Sequence, residues 1–549
     1  MLLEKAKSPL FWEQVRTSDS YAPFREELQS LWENNCTEPL TAGKYSTFIS
    51  YFITGSRTEY QKPFLVRHRG LCAAALLSLL YPENETYFTT LCDFIWAILE
   101  EYVWVVPAHM PSSTENVVHH IDLRAADTAG ALAEIDYIFG DRLPPLIRSR
   151  IRAEIQRRIF DGYLGDTRYS WEKNTANWAP VCLCGVISAV LYLCPERMPE
   201  LFPRIDNTLR GYLSGFTPDG ICPEGFAYWT YGFGHYTILA DLLRDFTDGQ
   251  TDYFALPKIP LIAGFARRMF LDGATTVSFS DGTLHGRYHL GMLHYLKKEF
   301  PDDVLIPDRS LSFSIDNHGW FQLYMRAILW FDENAVTAAQ ETEFTDYAPD
   351  SQWLIRRTPR FGFAAKGGHN KEPHNHNDLG SFIITAGGEQ ILCDAGAGKY
   401  TKSYFGKDRY QSFKPCSRGH SVPIIDGQYQ LPGKEHCSIS SYENDIFTLE
   451  LHKAYGVEAL TGLCRTFSFE EDGVTLTDRF TLSEELPLTE RFISRKPVEI
   501  RDGCVRTGSL TLSTDAGAEI TVHEEEELFC IDYALAPGIR EFSLKIRID

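Results

Sequence analysis

Residues 333–350 read ENAVTAAQETEFTDYAPD, a polar stretch on either side of which the apolar residues follow different periods. Before it they recur at steps of three and four, as in VRHRGLCAAALLSLLY at 66–81 and DLRAADTAGALAEIDYIF at 122–139, the spacing of one helix face. The same pattern marks 145–160, 177–194, 230–246 and 256–271, with breaks at PENE (82–85) and TPDG (217–220). About ten to twelve such helices, without strands between them and without a fixed repeat, predict hairpins closed into a toroid rather than a solenoid. After the stretch the pattern alternates, in FGFAAKGG (361–368), GSFIITAGGEQILCDAG (380–396), HCSISSYENDIFTLELHKAYG (436–456), TFSFEEDGVTLTDRFTL (466–482), EITVHEEEELFCIDYAL (519–535) and EFSLKIRID (541–549). GG, DG and PG dipeptides fall at hairpin positions, and the whole predicts an antiparallel β-sandwich. The expected architecture is α+β and multidomain: a helical toroid over 1–340 and a β-sandwich over 341–549.

Composition bounds the function. A chain of 549 residues exceeds one ordinary core, and 44% hydrophobic with 23% charged residues marks it as globular. Its 53 Lys+Arg against 74 Asp+Glu give a net charge of −21, which excludes sequence-blind nucleic-acid binding, because phosphate contacts need excess cations. Any polyanion must be held in a local pocket. The start, MLLEKAKSPLFWEQV, has no apolar run of signal-peptide length, and no later stretch approaches the roughly 20 apolar residues of a membrane span. The expectation is a soluble cytoplasmic protein of bacterial type with no membrane partner and with self-association left open. Thirteen cysteines are an odd number, and Cys72, Cys92, Cys182 and Cys194 sit among apolar residues, as reduced core thiols do. Cys182 and Cys184 lack a second pair at zinc-finger spacing and read as packing.

The densest chemical signal is GGHNKEPHNHNDLGSF (367–382), with His369, His374, His376 and Asp378, followed by Asp394 in ILCDAG and His420 in SRGHSVPIIDG. In an extended segment alternate side chains share a side, so His374 and His376 would lie about 7 Å apart at Cα and could share a site. Two imidazoles, a carboxylate from the next strand and a later imidazole make a ligand set suited to zinc; buried His and Asn satisfying turn backbone is the competing reading. A cupin would want a Glu about four residues after its H-x-H motif, and 377–381 (Asn, Asp, Leu, Gly, Ser) holds none. Between 366 and 420 eight Lys/Arg face five Asp/Glu, a local +3 that reads as an anion-accepting surface or as loop solubility.

Two motifs come from the helical half. WEKNTANWAP (171–180) places Asn177 before Trp178 at a helix start, as an N-cap or as an amide donor to a substrate carboxylate. TPDGICPEGFAYWTYGFGHY (217–236) gathers Tyr228, Tyr231 and Tyr236 with Glu224 and His235; tyrosines at helical spacing are usually core.

Together with HIDLRAADTAGALAE (120–134), ANWAP (176–180), DGICPEGFAYWTYG (219–232) and HNHNDLGSF, ILCDAG and GHSVPIIDG within 374–427, these motifs give a chain that resembles the heparinase II/III-like polysaccharide lyases. The resemblance implies an (α/α) toroid joined to an antiparallel β-sandwich, and β-elimination at the O4 of a uronate to leave a 4,5-unsaturated end, a carbon–oxygen lyase reaction. It implies Tyr228 as acid/base, Asn177 as the group that masks the uronate carboxylate, His374 as a second base, and His376, Asp394 and His420 as ligands of a structural Zn2+, or another divalent ion such as Mn2+. Tyr231, one turn from Tyr228, is a rival for its role and, like Trp178, a candidate for substrate contact. Arg124 is a candidate for gripping a carboxylate or sulfate, with a helix-surface ion pair the alternative; Tyr400 and Arg418 flank the metal residues as further candidates. The implied partner is an acidic polysaccharide or oligosaccharide: a glycosaminoglycan such as heparan sulfate, hyaluronan or chondroitin, or alternatively alginate. The other classes are a glycoside hydrolase using Glu224 and Asp219 as its paired carboxylates, and a carbohydrate-binding protein without turnover.

Overall fold

Helical and alternating periods each build the elements they predict, but the chain does not divide at a single point. The computed structural model describes residues 2–110, 117–307 and 318–549. One compact unit takes Met1–Gly215, Tyr228–Ala263 and Arg287–Ala338; the other takes Phe216–Ala227, Gly264–Gly286 and Ala339–Asp549. The last passage from helical to β unit thus falls within the polar stretch 333–350. Two segments from before residue 340 nevertheless belong to the β unit.

Among the described residues, twelve α-helices have nine residues or more. The Leu123–Phe139 helix begins at Asp122, whose carboxylate accepts from the backbone N–H of Arg124 and Ala125 at 3.0 and 2.8 Å and so satisfies two orphan donors of the first turn. Its partner, Trp178–Leu193, approaches so closely that a Cβ on Gly185 would lie 2.1 Å from the Ala126 carbonyl. Only glycine fits that crossing. The same pair is bound to the Phe321–Leu329 helix by buried polar groups: Gln322 Nε2 donates to Glu134 and Ser188 at 2.8 and 2.9 Å, and Arg326 Nη1 to Glu134 at 2.5 Å. The helix Thr58–Leu80 is, contrary to the sequence expectation, long and apolar enough to cross a membrane, yet most of it is buried within the fold, as a core helix is. No disulfide joins cysteines among the described residues.

The helix expected over 256–271 is broken. Ile259–Ala263 and Phe265–Met269 flank Gly264, and the chain then enters a short strand, Phe270–Asp272, paired with Thr275–Thr276. Gly264 is also where the chain passes into the β unit. There the segment is fixed by backbone and side-chain bonds: Arg357 Nη1 donates to the Phe270 carbonyl at 2.8 Å, and Thr275 Oγ1 to that of Gly388 at 2.6 Å.

Among the described residues, two large antiparallel sheets make up most of the β unit, beside two short strand pairs. One has eight strands, running from Ile439–Glu443 at one edge through Leu460–Glu470 and Glu541–Ile548 to Val498–Arg501 at the other. The second has nine, from Ala518–Glu525 through Leu488–Ser494 and Phe382–Ala386 to Phe344–Ala348. Phe363, Phe382, Phe467, Leu476, Phe492 and Phe542 fill the space between them. Hairpin chemistry sets the register: Asn444 and Asp445 (φ 51° and 58°) join Ile439–Glu443 to Ile446–Glu450, the left-handed pair that matches strand twist. Asp394 lies two residues past the end of Glu389–Leu392, and residues 374–378 end three residues short of Phe382–Ala386.

Candidate active site and metal centre

Within the β unit, His376, Asp378, Asp394 and His420 converge, each fully buried, with one donor atom apiece all within 4.8 Å of one another. His376 Nδ1, Asp378 Oδ2, Asp394 Oδ2 and His420 Nδ1 have no hydrogen-bond partner. Four orphaned polar atoms at one buried point are costly unless a cation joins them, and two imidazoles with two carboxylates suit a divalent metal such as Zn2+ or Mn2+. The remaining atoms orient the donors. His376 Nε2 donates to Asp281 at 3.1 Å, His420 Nε2 to the Lys414 carbonyl at 2.7 Å, and Asp378 Oδ1 accepts from Lys366 Nζ at 2.8 Å. Burial lowers the basicity of His376. It does the same to His420, but Asp394, 3.2 Å away, outweighs burial and holds that ring's pKa above its ordinary value. The structure therefore brings together the three residues expected as ligands and adds Asp378.

His374 is outside this donor set. No regular strand runs through 374–376, and His374 takes a left-handed backbone (φ 58°), so the extended reading of this segment is corrected. Both rings nonetheless meet on one carboxylate, that of Asp281, which the sequence reading missed. Asp281 Oδ2 accepts from His374 Nδ1 at 2.7 Å and from Tyr400 Oη at 3.0 Å; Oδ1 accepts from His376, Tyr404 and Arg409. Burial would raise its pKa, but the hydrogen bonds from His374 and His376 prevail and hold it well below the usual carboxylate range. An ionised Asp281 fixes the proton of His374 on Nδ1. Proton exchange by this ring then falls to Nε2, with Glu224 Oε2 3.6 Å from it.

The family model described as Heparinase II/III-like, C-terminal matches residues 348–540. This part of the chain is similar to that family. No curated protein matches the chain by sequence. Among solved structures, a crystal structure of heparinase III superposes with a TM-score of 0.61 at 13% identity, over 100% of this chain and 92% of that one. A mutant of the heparan sulfate lyase HepC from Pedobacter heparinus gives 0.59 at 12%, over 100% and 87%. The chondroitin AC lyase of Streptomyces coelicolor A3 in complex with chondroitin sulphate gives 0.52 at 10%, over 100% and 82%. At such identity the likeness speaks for the fold: an (α/α) toroid followed by an antiparallel β-sandwich.

In the β unit Tyr400 lies beside His374, ring centroids 6.4 Å apart, while Arg418 pairs with Glu525 at 3.1 Å. His369 sits by Glu372, away from the metal donors. Asp219 is occupied structurally: it accepts from the backbone N–H of Asp350 and Ser351, both at 3.0 Å. In the helical unit Asn177 precedes the Trp178–Leu193 helix, but its buried side chain makes no cap bond, so the N-cap reading is set aside. A Cβ on Gly232 would come within 3.1 Å of Asn177 Cβ. Tyr228, four residues before Gly232, shares that helix face. Tyr231 instead packs against Trp320 at 4.7 Å, and Arg124 lies over the same indole at 3.5 Å with Nη1 on the His318 carbonyl. Trp178 is half-buried, its ring 4.9 Å from that of His109. Asp281 left no trace in the sequence reading because Ser280-Asp281-Gly282 looks like a turn and lies in a stretch assigned to the helical half.

Proposed function

We propose that the chain is a polysaccharide lyase that cleaves uronate-containing glycans by β-elimination, with glycosaminoglycans as its main substrates. The observation that carries this reading is His374: a partly exposed imidazole locked by Asp281 in one tautomer and excluded from the metal donors beside it. A base so oriented can take the C5 proton of a uronate once the carboxylate is masked, a contribution of about 10²–10⁴-fold in rate. Asn177 is the masking amide, able to stabilise charge that builds on the carboxylate during proton loss. Tyr228 is the acid/base that protonates the leaving O4; Tyr231 and Arg124, engaged on Trp320, are set aside for that chemistry. His376, Asp378, Asp394 and His420 would hold a divalent metal, which would supply cohesion by tying three loops of the β unit together, and no proton need move through it. Engagement of Asp219 by backbone amides weighs against a hydrolase using Glu224 and Asp219 as its pair.

The test is ultraviolet absorbance of the 4,5-unsaturated uronate over a panel of heparan sulfate, hyaluronan, chondroitin and alginate. Wild type is expected to generate it, and Tyr228→Phe and His374→Ala each to lose at least about 10²-fold in kcat with melting temperature retained. Full activity in both variants refutes the assignment; products without the unsaturated ring point to hydrolysis.

A further inference from the structure

Phe405 is 45% exposed, unusual for a large apolar ring, and it stands beside His374. Its ring meets Tyr400 edge-on at 4.8 Å (78°) and Tyr404 at 5.5 Å (79°), and lies 6.3 Å from His374 at 89°. Both tyrosine hydroxyls are anchored on Asp281, so the exposed ring is held by the same carboxylate that orients the proposed base. Around it, in KYTKSYFGK (399–407), Lys399, Lys402 and Lys407 are exposed, and this nine-residue run holds no acidic residue. Their ammonium groups make no ion pair or side-chain hydrogen bond among the described residues, unlike Arg409 just beyond, which is committed to Asp281.

An exposed aromatic ring on a loop that carries three exposed, unpaired cations, in a protein of net charge −21, is a surface for a ligand with an apolar face and anionic substituents. A pyranose offers a sheet of C–H bonds that packs on an aromatic ring, while its carboxylate or sulfate groups lie in the ring plane where ammonium groups reach them. We infer that the 399–407 loop is a sugar-binding wall: Phe405 stacks an anionic pyranose of the glycan next to the one at His374, and Lys399, Lys402 and Lys407 hold its carboxylate or sulfate. This deepens the lyase reading by assigning the residues that select an acidic glycan.

Two variants test it, Phe405→Ala and the triple Lys399→Gln/Lys402→Gln/Lys407→Gln, with Phe405→Trp as the conservative control and melting temperature as the check of folding. Turnover of heparan sulfate and of hyaluronan is followed at low and high salt, and calorimetric titration measures binding of a heparan sulfate hexasaccharide. Phe405→Ala is expected to raise KM and Kd about tenfold, a difference of about 1.4 kcal/mol, with kcat largely kept; Phe405→Trp restores both. The lysine variant is expected to weaken binding and to flatten its salt dependence. A larger effect on heparan sulfate than on hyaluronan assigns the lysines to sulfate, and an equal effect assigns them to carboxylate. KM, Kd and salt dependence unchanged in both variants overturn the wall. Binding that depends on Phe405 without any turnover by wild type leaves the wall standing and overturns the lyase reading instead.

Discussion

Asp281 accepts hydrogen bonds from two histidines, two tyrosines and an arginine, so neutralising it alters the proposed base and a metal donor together. Asp281→Asn keeps the shape but lets the amide donate, which disturbs the tautomers of both His374 and His376. The expected outcome is a loss of about 10²-fold or more in kcat and a fall of about 10–100-fold in metal affinity, the latter read by competition with a chromogenic chelator. Unchanged affinity would show that His376 does not depend on this carboxylate. At this scale the sequence was legible where chemistry sits in one local run: His374 and His376 lie two apart, and Asp394 and His420 stand in Gly-flanked segments. It was illegible where partners are distant. Asp281 is 93 residues from His374 along the chain, and Asp378 showed itself as a donor only once Lys366 was seen to occupy its other oxygen.

Among the elements, the strands were the more readable, since alternation and left-handed turn pairs such as Asn444-Asp445 are local signals. The 256–271 segment misled because apolar steps of three and four fit two short helices as well as one long one. The sandwich also hides a charged knot no pattern announces. Arg465, on the strand Leu460–Glu470, is fully buried and binds Asp478 and Glu490, while Nη1 donates to the carbonyls of Gly380 and Ser421 at 2.9 and 2.7 Å, bracing the metal-bearing loops. One cation faces two carboxylates there. Burial, and then the nearby Asp478 charge, push the Glu490 carboxyl well above its ordinary pKa despite Arg465. Glu490 therefore keeps its proton to higher pH in the fold than in the unfolded chain, which ionises it above about pH 4.3. Its stabilising contribution is complete below that pH and declines as pH rises toward the folded-state value, by at most about 1.4 kcal/mol per pH unit. Glu490→Gln, which keeps an acceptor for Arg465 and a donor for Asp478, is expected to gain stability relative to wild type as pH rises from 4 to 8 in urea titrations. A difference independent of pH would mean that Glu490 is ionised in the fold.

For the whole molecule, a chain with two compact units is not expected to unfold in one step. All four metal donors belong to one of them. Removing the ion with a chelator is therefore expected to lower the calorimetric transition of the β unit and leave that of the helical unit in place, because a ligand stabilises only the part that binds it. Equal shifts of both transitions, or none, would contradict this. The chain changes unit at Gly215, Ala227, Ala263, Gly286 and Ala338, and that threading has a consequence for biosynthesis. A ribosome releases the segment bearing Asp281 long before it makes the histidines that segment will hold, so the nascent helical unit must complete itself around a loop whose partners do not yet exist. Neither unit is a module that gene fusion could transplant: a fragment cut at residue 341 carries the imidazoles without their acid.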